Sequence, residues 1–125
     1  MTRTLTIPGR LPGLNDIIDA ARRSRYESAA MKKENTEMVA WIAKAARLPH
    51  MERIDVAFHW YEPDKRRDKD NISGGQKFIL DGLVKAGIIQ NDGWKQIGDI
   101  LHFFAVDKAN PRVEIEITEI GEGKP

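Results

Sequence analysis

Two segments of this 125-residue chain alternate apolar and polar side chains with a period of two. They run from Arg53 to Tyr61 and from Arg112 to Ile120. Their apolar members are Ile54, Val56, Phe58 and Trp60 in the first segment and Val113, Ile115 and Ile117 in the second. Because successive side chains of a strand point to opposite faces of the sheet, this spacing predicts two β-strands, each with one face in a core.

Shorter signals predict two more strands. Leu5 and Ile7 alternate with threonines and predict a first strand that ends at Pro8. Residues 97–107 predict a third strand, which we expect to form an antiparallel hairpin with the strand at 112–120. The sheet is therefore expected to contain about four strands.

Helical spacing of apolar residues predicts two main helices. The first covers about residues 27–47, after a long connection, and the second ends near Lys85 and Gly87. Their apolar residues are Met31, Met38, Trp41, Ile42 and Ala45 in the first helix and Phe78, Ile79, Leu80, Leu83 and Val84 in the second. The order β-α-β-α-β-β predicts a single domain over residues 1–125 of the α/β (α+β) class, with two main helices packed on a small mixed sheet.

Composition narrows the class of protein. The chain is 41% hydrophobic and 31% charged, which is typical of a globular protein with a modest core. It contains no cysteine, so disulfides and cysteine-bound zinc are excluded. No stretch has the apolar length of a signal peptide or a membrane span, and we expect a cytoplasmic protein without membrane contact.

Cations concentrate in two short segments, although the net charge is only +1. The first contains Arg22, Arg23 and Arg25, and the second is KRRDK at residues 65–69, which contains Arg66, Arg67 and Lys69. Such patches supply the phosphate contacts of nucleic-acid binding, but solvated helix faces have the same composition. Both interpretations remain open on composition alone.

The segment KRRDKDN also contains two acids, Asp68 and Asp70, two positions apart. In an extended segment their carboxylates point to the same side, just before the second helix. Carboxylate oxygens suit Mg²⁺ and Mn²⁺. Asp92, which follows the second helix, becomes a third acid in reach if the strand after it lies beside the strand at 53–61.

Each of these residues also has a structural interpretation. Asp70 or Ser73 could cap the second helix, because such residues favour helix N-termini. Lys77 stands two helical turns after Asp70 and could approach a phosphate held by the carboxylates, or be a solvated lysine. Trp41 and Trp60 fit core positions, whereas Trp94 could be in the core or act as a wedge at DNA.

Several segments together resemble a known family. EPDKRRDKDNI, FILDGLVKAGIIQNDGWKQI and VEIEITEI are similar to the RusA family of Holliday-junction resolvases, phage-type metal-dependent endodeoxyribonucleases. The similarity extends over most of the chain and is strongest from Pro63 to Ile97. It implies a homodimer of mixed α/β subunits that acts on branched (four-way) DNA with Mg²⁺, or Mn²⁺, and without a nucleotide cofactor, in a bacterial or phage-infected cell.

The resemblance also implies roles for individual residues. Asp68, Asp70 and Asp92 take the metal-ligand positions. Arg67 and Lys77 would contact the scissile phosphate. In the family the lysine follows the second aspartate by about one helical turn, and this chain has Gly74 there. Either three extra residues shift the helix and leave Lys77 as the functional equivalent of the family lysine, or this chain has lost the role of that lysine.

These inferences lead to one expected activity and two alternatives. We expect metal-assisted hydrolysis that resolves four-way junctions by paired symmetrical cuts, since two sites related by a two-fold axis can cut two strands of like polarity. A non-catalytic protein that binds branched DNA would share the basic patches. A nuclease that prefers flaps or forks would share the acidic residues as well.

Overall fold

The computed structural model describes residues 2–121, which form a four-stranded mixed sheet with helices on it. The strands are β1 (Thr2–Pro8), β2 (Ile54–Glu62), β3 (Ile97–Val106) and β4 (Arg112–Glu119). The helices are α1 (Leu14–Arg23), α2 (Arg25–Ala45), α3 (Lys69–Ser73) and α4 (Gln76–Lys85). The predicted mixed α and β class is confirmed. The predicted order β-α-β-α-β-β is also confirmed if α1 and α2 are counted as one helix and α3 and α4 as another. No helix among the described residues has the length and apolar character that crossing a bilayer requires.

The two strands predicted from alternation lie side by side at the centre of the sheet. β2 and β4 pair antiparallel, with Phe58 opposite Ile115 and Trp60 opposite Val113. The apolar residues of both strands are buried, and the residues between them are at least partly accessible. The period of two therefore identified the core face of both strands correctly.

The predicted hairpin between the last two strands is wrong. The strand order is β1-β4-β2-β3, so β2 separates β3 from β4. β3 instead pairs parallel with β2, because α3 and α4 form the crossover that a parallel pair requires. The short link from β3 to β4 crosses the end of β2, where the Asp107 amide donates to the Glu62 carbonyl oxygen.

The segment before the long helix is itself helical. α1 was predicted as part of a connection, and although the apolar and charged residues of this short helix are well separated, only Ala20 is buried in it. Ser24 separates it from α2: its backbone is extended, and its hydroxyl accepts a hydrogen bond from the Glu27 amide at 3.0 Å. A serine in this position is a normal N-cap, and here it makes a corner between two helices.

α2 packs against α4 through a face that the sequence did not identify. Val39, Ala40 and Ala43 are its buried residues, whereas Trp41 is 75% exposed. The prediction that Trp41 lies in the core is therefore wrong, while Trp60 is buried as predicted. The small side chains of these residues allow α2 to approach α4 closely. The face of α2 that carries them is therefore the buried one.

The closest point of this contact is Gly82 on α4. A Cβ placed there would lie 2.6 Å from the Val39 Cβ and 3.2 Å from the Ala40 amide nitrogen. We predict that Gly82→Ala lowers the free energy of unfolding by about 1–3 kcal/mol, because overpacking outweighs the gain in helix propensity of about 1 kcal/mol. Urea denaturation checks this, with Gly121→Ala, which meets only open space, as the matched control. Equal stability of the two variants would contradict the packing argument.

Candidate active site

Asp68 and Asp70 lie at the start of α3, beyond the end of β2. Asp68 is extended and occupies the N-cap position, whereas Asp70 is already helical. The expectation of an extended segment is therefore wrong at Asp70. It failed because a separate short helix, α3, begins at Lys69 and precedes the helix that was predicted to end near Lys85 and Gly87.

The two carboxylates have few partners among residues 2–121. The Asp68 side chain makes no capping hydrogen bond, and the Asp70 Oδ1 accepts one from the Asn71 amide at 2.9 Å. The N-cap of α4 is Gly75, so neither Asp70 nor Ser73 caps the second long helix. The capping interpretation of these residues therefore has no support in the structure.

α3 is held in place by the first two residues of α1 and by Gly13, which precedes them. The Asn15 amide donates to the Asn71 Oδ1 at 2.9 Å. A Cβ on Gly74 would lie 2.7 Å from the Leu14 amide nitrogen, so this contact tolerates only a glycine. Gly13 is similarly close to the Asn71 backbone oxygen. The break between α3 and α4 thus lets α3 dock closely on the N-terminal segment.

An ion-pair cluster at the end of β2 fixes the chain just before Asp68. The buried Glu62 accepts hydrogen bonds from the Arg67 Nη2 at 2.9 Å and Nε at 3.1 Å. Its Oε1 also accepts from the Arg10 Nη2 at 2.8 Å. The third Arg67 nitrogen, Nη1, donates to the Leu11 carbonyl oxygen at 3.2 Å. Arg67 therefore connects β2, the N-terminal segment and the base of α3.

The arginines set the charge state of Glu62. Burial alone raises the pKa of its carboxyl, but the hydrogen bonds and positive charges of Arg67 and Arg10 outweigh burial. The pKa consequently lies below its ordinary value of 4.5. Glu62 is an ionised, fully engaged acid, and this distinguishes it from Asp68 and Asp70.

These residues border a groove of about 920 Å³, which we call the acidic groove. Asp64, Asp68, Asp70 and Glu62 line it together with Lys65, Arg67 and Lys69. Its apolar wall is Phe104, at the end of β3, and the Lys69 ammonium lies 5.7 Å from the centre of that ring. The groove thus combines carboxylates without strong partners with cations placed around them.

A second groove, of about 660 Å³, adjoins the first, and we call it the basic groove. The two share Asp64 and Arg67 as lining residues. Arg10, Arg23 and Arg66 add positive charge to the basic groove, and Asp16 is its other acid. Arg22 and Arg25 lie beside Arg23 at the exposed corner between α1 and α2. The sequence-predicted cations are thus arranged next to the acidic residues.

Lys77 and Asp92 form a separate group on the α4 side. The Lys77 ammonium lies 3.9 Å from the Asp92 Oδ2 and 3.3 Å from the Asp81 Oδ1. Within residues 2–121, no three acidic or histidine side chains are close enough together to hold a metal ion. β3 does lie beside β2, as the prediction for Asp92 required, but Asp92 is held by Lys77 and does not join Asp68 and Asp70 in one cluster.

Two carboxylates nevertheless fit a magnesium ion. Mg²⁺ usually takes one or two protein carboxylates, with water and substrate phosphate as its other ligands. Asp68 and Asp70 share one groove, and neither is neutralised by an arginine or lysine within 4 Å in the described chain. Their donor chemistry therefore suits a hard divalent cation.

His102, on β3, has a structural role. Its Nδ1 accepts a hydrogen bond from the Trp60 Nε1 at 2.9 Å, and its Nε2 lies 3.1 Å from the Gln76 Oε1. Burial lowers the pKa of His102, which favours this neutral ring. The ring also stacks on Phe58. His102 is not among the residues that line the acidic groove.

Comparison with known proteins agrees with this geometry. A groove that offers carboxylates and cations to a phosphate is typical of enzymes that cleave phosphodiesters. A family model described as Endodeoxyribonuclease RusA matches residues 12–118, and no curated protein matches the chain significantly. The chain therefore belongs to the RusA endodeoxyribonuclease family. Membership implies a nuclease of the Holliday-junction-resolving kind, from a family that binds branched DNA and generally uses divalent metal ions.

Sequence reasoning missed the residues that support the site. Glu62 was passed over because it ends a strand, and Arg10 because it stands alone in a connection. Asp81 lies one helical turn after Lys77, and this i, i+4 spacing was the available signal for their ion pair. Asn71 had no local signal, because its partner Asn15 is distant in sequence.

The Glu62 cluster predicts a dependence of stability on pH. Because the pKa of folded Glu62 is below 4.5, its contribution to the free energy of unfolding is complete above that pH and is lost as the pH falls through the folded-state value. We predict that Glu62→Gln is less stable than wild type by about 2 kcal/mol at neutral pH, and that this difference shrinks below pH 4.5.

Urea denaturation over a series of pH values measures this difference. The matched control is Glu119→Gln, an exposed acid at the other end of the sheet, which should track wild type throughout. A Glu62→Gln deficit that stays constant as the pH falls would show that the carboxylate charge is not what stabilises the cluster.

Proposed function

We propose that the protein is a metal-dependent endodeoxyribonuclease that resolves four-way DNA junctions by symmetrical paired hydrolysis. The observation that supports this most directly is the pair Asp68 and Asp70, whose carboxylates have no arginine or lysine partner among residues 2–121 in a groove otherwise rich in cations. Glu62, in the same groove, is bound by two arginines. The unneutralised acids are thus available for a cation and, through it, for a phosphate.

Asp68 and Asp70 would hold Mg²⁺, or Mn²⁺, through their carboxylate oxygens. When bound, such an ion acidifies water and stabilises the charge that develops on the phosphate and the leaving oxygen. The Lys69 ammonium at the rim of the groove would attract the DNA backbone toward these acids. The rigid docking of α3 fixes the position of both carboxylates relative to the groove.

Lys77 and Asp92 would approach the same phosphate from α4. We propose Lys77 as a group that stabilises phosphate charge and Asp92 as the third ligand. Their present separation of 3.9 Å means that each partly neutralises the other before DNA binds. The resemblance led us to expect that Arg67 contacts the scissile phosphate. All three of its nitrogens already donate hydrogen bonds within the chain, and these bonds support a role in fixing the segment before Asp68.

The basic groove would bind the DNA backbone beside the cut. Arg66 is 90% exposed and Arg23 66% exposed, so both can exchange their weak surface ion pairs for phosphate. Because the basic groove shares Arg67 with the acidic groove, a strand could pass from one to the other. Arg22 and Arg25 would extend this path along a junction arm.

Paired cuts require two active sites, and we propose that two copies associate through β3. It is an edge strand with several exposed apolar side chains: Ile100, Leu101, Phe103 and Val106. An edge strand can pair antiparallel with a second copy of itself about a two-fold axis, which is the symmetry that the paired cuts need.

We predict that cleavage of a labelled four-way junction requires metal and both α3 acids. Wild type should make paired symmetrical nicks with Mg²⁺ or Mn²⁺ and none with EDTA. Asp68→Asn and Asp70→Asn should each reduce the rate by at least about 100-fold, because a metal ligand is lost. Glu119→Gln, which changes an exposed acid on β4 at the other end of the sheet, is the matched control and should retain the wild-type rate.

Calorimetric titration with Mn²⁺ gives a second readout of the same site. Affinity should fall in Asp70→Asn, and in Asp92→Asn if Asp92 is a ligand. Metal-independent junction binding with no cutting by wild type would overturn the enzyme claim in favour of a non-catalytic binding protein. Faster cutting of flap or fork DNA than of four-way junctions would instead favour the other nuclease alternative.

The proposed dimer is tested by a charge on the β3 edge. We predict that wild type sediments as a dimer and that Leu101→Lys sediments as a monomer, because a lysine on an edge strand opposes pairing. Leu101 is 54% exposed, so the subunit should still fold. Met38→Lys, at a partly exposed position on α2, is the control and should remain dimeric. A dimeric Leu101→Lys would place the interface elsewhere.

A further inference from the structure

Trp94 is the most exposed large apolar residue in the described part of the chain. It lies between α4 and β3, and 97% of its surface is accessible. Trp60, by contrast, is 4% exposed. The sequence left Trp94 as either a core residue or a contact to DNA, and the structure excludes the core.

The turn that carries Trp94 is well fixed. The Gly93 carbonyl oxygen accepts hydrogen bonds from the Gln96 amide at 3.2 Å and the Ile97 amide at 3.0 Å. The Gln96 carbonyl oxygen accepts one from the Ile54 amide, which ties the turn to β2. The turn ends at Ile97, which is 7% exposed. The indole is thus presented outward by a short, hydrogen-bonded turn.

The neighbours of Trp94 suit nucleic acid. Asp92, the proposed third ligand, is two residues away, and its partner Lys77 is 58% exposed. Lys95 follows Trp94 and is exposed. An exposed aromatic ring with nearby cations is the arrangement with which proteins bind unpaired bases, because the ring stacks on the base while the cations attract the backbone.

We propose that Trp94 is a stacking platform for an unstacked nucleobase at the branch point of the DNA. This inference rests on the proposed function and adds a residue that selects branched DNA over duplex. A continuous duplex offers no free base face, whereas strands that exchange partners at a branch can expose one. Every base has such a face, so this selection does not depend on sequence.

The test measures binding of wild type and Trp94→Ala to a four-way junction and to a matched duplex across a salt series. Ca²⁺ replaces Mg²⁺ so that affinity is measured without cleavage. Trp94→Ala should bind the junction about 5- to 100-fold more weakly and should bind the duplex equally well. The salt slope should not change, because stacking releases no counterions. Trp94→Phe should recover most of the loss.

Two further variants make the result specific. Trp41→Ala removes another exposed tryptophan, on α2, and should bind as wild type does. Arg23→Ala in the basic groove should reduce the salt slope by about one on both DNAs, the reverse of the Trp94→Ala pattern. Loss of an electrostatic contact and loss of stacking are thereby separated.

Three outcomes would overturn the inference. Equal weakening on junction and duplex by Trp94→Ala would remove its role in selection. Conversion of the protein to a monomer by Trp94→Ala would make the indole a contact between subunits. Unchanged junction binding by Trp94→Ala, with normal cleavage by wild type, would reject this inference alone, whereas wild type that neither binds nor cuts junctions would reject the proposed function together with it.

Discussion

The site depends on the docking of one short helix against the segment that enters the first helix. α3 has only five residues, too few to be stable alone, so its position comes from tertiary contacts. The Asn15 and Asn71 hydrogen bond and the close approach at Gly74 provide them on one side. Arg67, bound to Glu62 and to the Leu11 carbonyl oxygen, provides them on the other. Both candidate metal ligands are therefore oriented by contacts of α3 and of Arg67 with other parts of the chain.

Acids in one groove have opposite roles because their surroundings differ. Glu62 is buried and receives hydrogen bonds from two arginines, which lower its pKa and leave it little capacity for another cation. Asp68 and Asp70 lie at the surface and have no such partners in the part of the chain that the structure describes. A single cluster of negative charge would repel DNA, but the arginines neutralise the structural acid and leave two carboxylates for a metal ion. The basic groove then continues the path for the backbone.

Local pattern predicted much of the fold and the position of the acids. The period of two identified the core faces of β2 and β4, and the two cationic segments were found beside the acidic groove. The pairing of β3 with β2 could not be predicted from the local sequence, because a parallel pair depends on the crossover through α3 and α4. The buried face of α2 was misassigned because close helix packing at Gly82 favours alanine over tryptophan. The Glu62 cluster joins residues more than fifty positions apart, which no local spacing reveals.

Under the proposed function, three extra residues after Asp70 would move the family lysine from the position of Gly74 to that of Lys77. Resemblance places the family lysine at Gly74, but a Cβ there would lie 2.7 Å from the Leu14 amide nitrogen, so no lysine fits. The glycine pair instead lies between the end of α3 and the start of α4. Lys77 is the first cation of α4, and its ammonium lies 3.9 Å from Asp92. A lysine beside the proposed third ligand would place positive charge next to a phosphate that a metal ion at Asp92 would bind. The same insertion that excludes lysine from the family position therefore supports Lys77 as its functional equivalent.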